Sequence, residues 1–489
     1  MNTLLIGLAM LICGVVLWMF PVQAPSALAV CVAVSLPTLV VLTRAKDDRR
    51  FLWRVFILAV LARIVVAAII FRSGGENFFG GDANTYDIFG QSLLQSWHGD
   101  AYHTMRYANF IRSGAGAWGM LYVVAIIYQV IGENRFAIQL MNASVGSATA
   151  IVIYYAAQTL FSNVRVSRVA TVLVAFFPSL ILWSSQGLKD GLIILALALG
   201  ILATLRLMDK ISVGYVIVLA FCLLGLLSLR FYIFYMMVAS IVGSFVLGAK
   251  TINAQGFIQR FIAIAAIGLA FTWFGVLRDA GMQLERYGDL EAIQRSRTDQ
   301  ASAGSGFGKD VDVSTTAGAL TAIPIGLVYL LFAPFPWDMA TLRQTITLPE
   351  MIIWWTAFPL LVLGLWYALR HRLRQVAPIV IFTTMLTLAY SLFQGNVGTA
   401  YRQRSQLLVF YFIFVAVGGV LLKERAEDRR RQAQLAKQEL AELQAARVLA
   451  RGQEPQTQHS SIPHAAQAES QAPPTSVVEA EVRSGRSVL

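Results

Sequence analysis

Residues 44–71 read Arg44-Ala45-Lys46-Asp47-Asp48-Arg49-Arg50 and then FLWRVFILAVLARIVVAAIIF from Phe51 to Phe71. A charged cluster thus opens onto a run that is apolar except for Arg54 and Arg63. A run of that length is what a helix rising 1.5 Å per residue needs to cross about 30 Å of hydrocarbon. Working outward, the same pattern recurs over residues 3–20, 26–43, 138–160, 168–184, 189–205, 212–229, 231–249, 261–277, 350–369, 376–393 and 405–422. The sequence therefore predicts an all-α polytopic membrane protein of about twelve spans. Two further apolar stretches, 117–131 and 319–335, are expected to be juxtamembrane or re-entrant helices in outward loops. If both crossed, three basic loops would be inverted.

Composition agrees. Of 489 residues, 57% are hydrophobic and only 13% charged, against about 25% charged in soluble domains, and the mean hydropathy is +0.63. A soluble multidomain enzyme is excluded. The formal net charge of +12 does not point to nucleic acid, because the basic residues gather in short loops: Arg44 to Arg50, Arg165 and Arg168, Arg206 and Lys210, Lys250 and Arg260, Arg370 to Arg374, and Lys423 to Arg431. The positive-inside rule puts these loops in the cytoplasm, along with both termini. Cys13, Cys31 and Cys222 lie in apolar runs without metal or disulfide spacing. The five histidines include no HExxH, so no metal site and no cofactor are indicated. The segment 3–20 is expected to be a retained helix rather than a cleaved signal. Three parts follow: a transmembrane catalytic unit over 1–422, a charged cytoplasmic helix over 423–451, and a Gln-, Ser-, Ala- and Pro-rich tail over 452–489 that is disordered by composition.

On this topology the chemistry belongs to the outward loops. The first reads Phe78-Phe79-Gly80-Gly81-Asp82-Ala83-Asn84-Thr85-Tyr86-Asp87-Ile88-Phe89, with Phe89, Leu93 and Trp97 expected on one helical stripe along the membrane surface. A carboxylate at the mouth of that helix can act as a general base toward a hydroxyl or can simply cap it. The second reads Trp183-Ser184-Ser185-Gln186-Gly187-Leu188-Lys189-Asp190. Arg230 stands alone between two apolar runs, as a headgroup or phosphate contact or as a helix C-cap. The last, Gln394-Gly395-Asn396-Val397-Gly398-Thr399-Ala400-Tyr401-Arg402-Gln403-Arg404, sets Arg402 and Arg404 behind glycines, a pattern suited to phosphate. Arg63, deep in a span, reads as half of a buried ion pair. Gly304-Ser305-Gly306-Phe307-Gly308 reads as a flexible stretch without the strand that a nucleotide-binding fingerprint requires.

Together these motifs resemble the GT-C superfamily of membrane glycosyltransferases, near the protein O-mannosyltransferase and aminoarabinose transferase branch. The segments that carry the resemblance are Gly81-Asp82-Ala83…Tyr86, Gly132-Glu133-Asn134-Arg135-Phe136-Ala137, and Phe177-Pro178…Trp183-Ser184…Lys189-Asp190. Pro334-Phe335-Pro336-Trp337 and Gly398-Thr399-Ala400-Tyr401-Arg402 are similar to segments in bacterial members. The resemblance implies inverting transfer of a sugar from a polyprenyl-phosphate donor to a lipid-linked glycan, polysaccharide or protein acceptor on the outer face of the membrane. Asp82 and Asp190 would be catalytic, and Tyr86, Lys189, Arg230, Arg402 and Arg404 would bind substrate. The chain has Asp82-Ala83 where part of the branch has Asp-Glu. Two other functions use similar charges: a surface polysaccharide polymerase or ligase, and a lipid-linked glycan flippase. A flippase is expected to keep its charges near the bilayer midplane, whereas here nearly all lie at the outer mouth.

Overall fold

The computed structural model describes residues 3–75, 81–112, 118–248, 268, 289–302, 304–308, 310–337 and 342–452. Among the described residues the regular structure is helical, apart from an isolated bridge between Gly306 and Asn396. In chain order the helices are α1 (Thr3–Met19), α2 (Ala24–Arg44), α3 (Arg49–Ser73), α4 (Asp82–Trp97), α5 (Ala101–Arg112), α6 (Trp118–Ile131), α7 (Arg135–Phe161) and α8 (Val164–Phe176). They continue with α9 (Pro178–Trp183), α10 (Asp190–Asp209), α11 (Val213–Leu229), α12 (Phe231–Gly248), α13 (Leu290–Ala301), α14 (Thr316–Phe332), α15 (Leu342–Phe393) and α16 (Val397–Gly452). Among the described residues, 6 helices are long and apolar enough to cross a membrane, and five shorter apolar ones accompany them. The chain is an all-α polytopic membrane protein. The expected span 261–277 lies outside the described residues except for Gly268, and so does the tail beyond Gly452.

Helix α7 is the hub. Its small residues, among them Ala143, Ser144, Gly146, Ser147 and Ala150, are buried, and it packs against α2, α3, α8 and α10. Small side chains let helix backbones approach closely and leave hydroxyls to bond across the interface. Ser144 Oγ accordingly lies 3.1 Å from both Cys31 Sγ and Ser35 Oγ of α2. The sequence also starts this helix: Gly132 takes a positive φ of 80°, and the Asn134 side chain accepts from the Ala137 N–H as the N-cap.

Two expected features differ. Residues 168–184 do not form one span, because the helix stops at Phe176 and restarts as α9. Pro178 has no N–H to continue the ladder and holds Phe177 in an extended conformation (φ −67°, ψ 127°). Of the surface stripe expected on α4, Leu93 is turned inward and Trp97 is not. Ala83, Tyr86, Gly90, Leu93 and Leu94 are buried, while Trp97 is 45% exposed. Gly90 decides this register: a Cβ there would stand 2.6 Å from Val124 Cγ1 of α6, so that face meets α6.

Helix α15 folds back at Arg372, where φ and ψ are −137° and 25°. Trp354 Nε1 donates to Leu331 O, and Ser391 O faces Gly326, so two positions one or two turns apart on α14 touch both halves of α15. A straight helix would separate residues 354 and 391 by about 55 Å. This bend falls in the basic loop 370–374 that the sequence places between two spans.

The compact unit ends at Arg425. Within it, polar contacts sort to two ends. Asp48 meets Arg168 and Tyr154, Arg372 reaches Leu160 O, and Asn163 reaches Glu424 at one end, where the predicted basic loops at 44–50, 165–168, 370–374 and 423–431 gather. Asn134 with Gln23, and Asp82 and Asp190 with Arg402, lie at the other. The unit that begins at Ala426 is described as helix to Gly452, and its side chains are exposed through Ala446, Leu435, Leu440 and Leu443 included.

Candidate active site

Three helix starts and one helix end converge on four charges. Asp82 and Asp190 are the first residues of α4 and α10, where the positive end of each helix dipole favours a carboxylate. Arg230 is the C-cap of α11, where the dipole favours a cation. Arg402 lies in the second turn of α16. Its Nε and Nη2 donate to Asp190 Oδ2 at 2.8 and 2.5 Å, and its Nη1 donates to Asp82 Oδ2 at 2.6 Å. Arg230 Nη2 stands 3.7 Å from Asp190 Oδ1, and Arg230 Nη1 donates to Tyr390 OH at 3.4 Å.

The two carboxylates differ in access. Asp190 is fully buried, whereas the Asp82 side chain is 52% exposed. Asp82 is not the N-cap of its helix, a place taken by Gly81, and its carboxylate turns to Arg402. A cavity of about 750 Å³ opens beside this cluster, with Asp82, Arg230, Arg402, Trp183 and Tyr401 in its wall and Gln300, Gln344, Asn396 and Gln403 among its polar lining. That size falls in the range of small-molecule sites.

Of the residues singled out from sequence, Asp82, Arg230 and Arg402 line the cavity. Asp190 lies behind Arg402, and Lys189 sits with its Nζ 5.8 Å over the ring of the buried Tyr86. Burial, reinforced by Arg230, pushes the Lys189 ammonium down to about 7 despite the opposing pull of Asp190 and Asp82. Burial and the Asp82 charge push the Tyr86 phenol above its ordinary value. Arg404 is placed elsewhere. Two residues along a helix point roughly 200° apart, and Arg404, 1% exposed, donates to Leu331 O and Ala333 O at 3.0 and 3.1 Å and contacts Met351 Sδ.

Asp87, on the same helix as Asp82, is held by Arg135 at 2.6 Å and by Tyr128, beside a small void away from the main cavity. Two other expectations shift. Arg63 has hydroxyl and carbonyl partners rather than a carboxylate: Ser184 Oγ, Ala175 O and Ala59 O. The 304–308 stretch is pinned rather than loose. Phe307 N donates to Gly395 O and Val397 N to Ser305 O at 2.8 and 2.9 Å, and Arg297 of α13 bonds Leu392 O and Gln394 O. Sequence reading missed Gln406, whose Nε2 lies 3.5 Å from Asp190 Oδ1, although its place four residues after Arg402 puts both on one helix face. It also missed Glu350, whose Oε2 accepts from Tyr401 OH at 2.8 Å.

A family model described as dolichyl-phosphate-mannose-protein mannosyltransferase matches residues 117–276, about a third of the chain. That stretch contains Lys189, Asp190 and Arg230 but neither Asp82 nor Arg402. No curated protein matches. Among solved structures, the oligosaccharyltransferase of Archaeoglobus fulgidus in the apo form aligns at 12% identity with a TM-score of 0.47, covering 80% of this chain and 52% of that one. The oligosaccharyltransferase AglB of the same organism, in complex with an inhibitory peptide and a dolichol-phosphate, aligns at 13% identity with a TM-score of 0.46 and the same coverage. The chain thus spans about half the length of these structures.

Proposed function

We propose that this protein is a GT-C-like membrane glycosyltransferase that takes a sugar from a polyprenyl-phosphate donor. The observation that carries the reading is the bridge of Arg402 between a buried and an exposed carboxylate on the wall of the cavity. The match to a dolichyl-phosphate-mannose-protein mannosyltransferase model over residues 117–276 supports it.

The geometry supports a division of labour. Asp190 anchors Arg402 from below through Nε and Nη2, leaving Nη1 to Asp82. A donor phosphate arriving in the cavity competes with Asp82 for Nη1 and is held by Arg402 and Arg230. Asp82, released, accepts the proton of an acceptor hydroxyl. The hydroxyl oxygen then bonds to the anomeric carbon while the bond from that carbon to the phosphate oxygen breaks. Polyprenyl phosphate leaves with its charge neutralised by the two arginines, and attack from the opposite face inverts the anomeric centre. Asp190, Lys189 and Tyr86 set the field behind the arginines, and Arg404 holds the start of α16 in place.

The gathering of basic loops at the far end of the bundle supports an orientation with the cavity outside and both termini in the cytoplasm. The acceptor would be a lipid-linked glycan, a polysaccharide or a protein. Membranes containing the protein, offered radiolabelled polyprenyl-phosphate sugars, should transfer label to an acceptor fraction. No transfer from any such donor would remove the proposal.

A further inference from the structure

The segment from Ser184 to Lys189 carries the chain from the break at Pro178 into Asp190, and two buried side chains outside the cavity wall hold it. Arg63, 1% exposed in the apolar helix α3, donates from Nε to Ser184 Oγ at 2.7 Å and from Nη1 to Ala175 O at 2.8 Å. Ala175 O is among the last carbonyls of α8, which lack helical partners where the helix ends. A charge in an apolar span is costly unless it is bonded, and here its bonds close the broken helix.

Asn142, fully buried in α7, donates from Nδ2 to Gln186 O and Leu188 O at 2.7 and 2.8 Å. It fixes the segment immediately before Lys189. One turn along the same face of α7, Gly146 leaves room for the Arg63 bond, because a Cβ there would stand 2.9 Å from Arg63 Nε.

We propose that Arg63 and Asn142 are positioning residues that together set the 184–189 segment, holding Lys189 over Tyr86 and Asp190 beneath Arg402. The inference deepens the proposed reading of that cluster as the donor site, and it rests on that reading for its functional meaning. A merely structural role would stabilise the bundle without fixing the environment of Lys189. That environment consists of the Tyr86 ring, Asp82, Asp190, Arg230 and Arg402.

The test is the pH dependence of Lys189 acylation by acetic anhydride in the full-length protein in detergent, read by mass spectrometry. The wild type should be half reactive at about pH 7. In Asn142→Leu and in Ser184→Ala, which removes only the hydroxyl that Arg63 holds, the midpoint should rise by about one unit or more toward the ordinary lysine value of about 10.4. At a fixed pH near the wild-type midpoint, that is at least about a fivefold fall in labelling. An unchanged midpoint in folded Ser184→Ala overturns the inference, even where Asn142→Leu fails to assemble. Sugar transfer by the wild type is scored separately. Shifted midpoints without wild-type transfer would remove the functional reading and keep the brace, whereas transfer with unshifted midpoints would do the reverse.

Discussion

Arg402 holds the fully buried carboxylate of Asp190 with two N–H groups, at 2.8 and 2.5 Å, and reaches the half-exposed Asp82 with a third. The buried pair fixes where the guanidinium sits, and the exposed contact is the one a substrate can replace.

Breaking that pair from one side leaves Asp190 with only the more distant Arg230, or Arg402 with only the half-exposed Asp82, as ion-pair partner, at a cost of up to about 3–5 kcal/mol, the value typical of a broken buried pair. Arg402→Gln and Asp190→Asn should each lower the unfolding temperature in detergent substantially. The double variant should be less destabilised than the sum of the singles. Strict additivity in thermal unfolding would mean that the two side chains do not depend on one another.

Arg404 should behave differently from Arg402. Its donors satisfy the carbonyls of Leu331 and Ala333 at the end of α14. Leu331 O keeps its bond from Trp354 Nε1, but Ala333 O would lose this donor, and a buried acceptor left bare costs about 1–3 kcal/mol. Arg404→Met should therefore reduce stability while leaving the KM for donor in the surviving protein within about twofold. A donor KM raised tenfold or more without loss of stability would place Arg404 on the phosphate after all.

Lys189 gives stability a pH dependence of known sign. In the folded protein it loses its proton at about 7, whereas in the unfolded chain it titrates near about 10.4. Between those values the unfolded state binds more protons, so the contribution of this residue makes stability rise with pH across that window and flattens below about pH 7. Unfolding temperatures of wild type and Lys189→Met, compared from pH 6.5 to about 9, should differ by an amount that changes in that direction. A difference independent of pH would show that Lys189 titrates normally.

Much of this arrangement was legible in the sequence, for physical reasons. Length and hydropathy fixed the helices because a bilayer demands satisfied backbone over some twenty residues. The bend at Arg372 fell where the basic loop 370–374 predicted a turn between spans. Asp82 and Arg402, 320 residues apart, could be suspected of meeting because both sit in loops of one parity. What stayed hidden depends on tertiary register. Nothing local tells α4 to bury Gly90 and Leu94 rather than Trp97, since that choice is made by Val124 of the neighbouring helix. The partners of Arg63 were invisible because they are a hydroxyl and main-chain carbonyls created by the Pro178 break. Arg402 and Arg404 look equivalent in a loop and diverge only once a helix separates their directions.

The central claim is that Asp82 is the base, and Asp82→Asn tests it most directly. The substitution preserves shape, and Gly81 rather than Asp82 is the N-cap. The charge it removes is half exposed, where an ion pair contributes at most about 1 kcal/mol, so protein levels and unfolding temperature should stay near wild type. Removing a positioned general base lowers rates by about two to four decades. Transfer from a radiolabelled polyprenyl-phosphate sugar should therefore fall at least about a hundredfold, whereas transfer near the wild-type rate would contradict the assignment of Asp82 as the base.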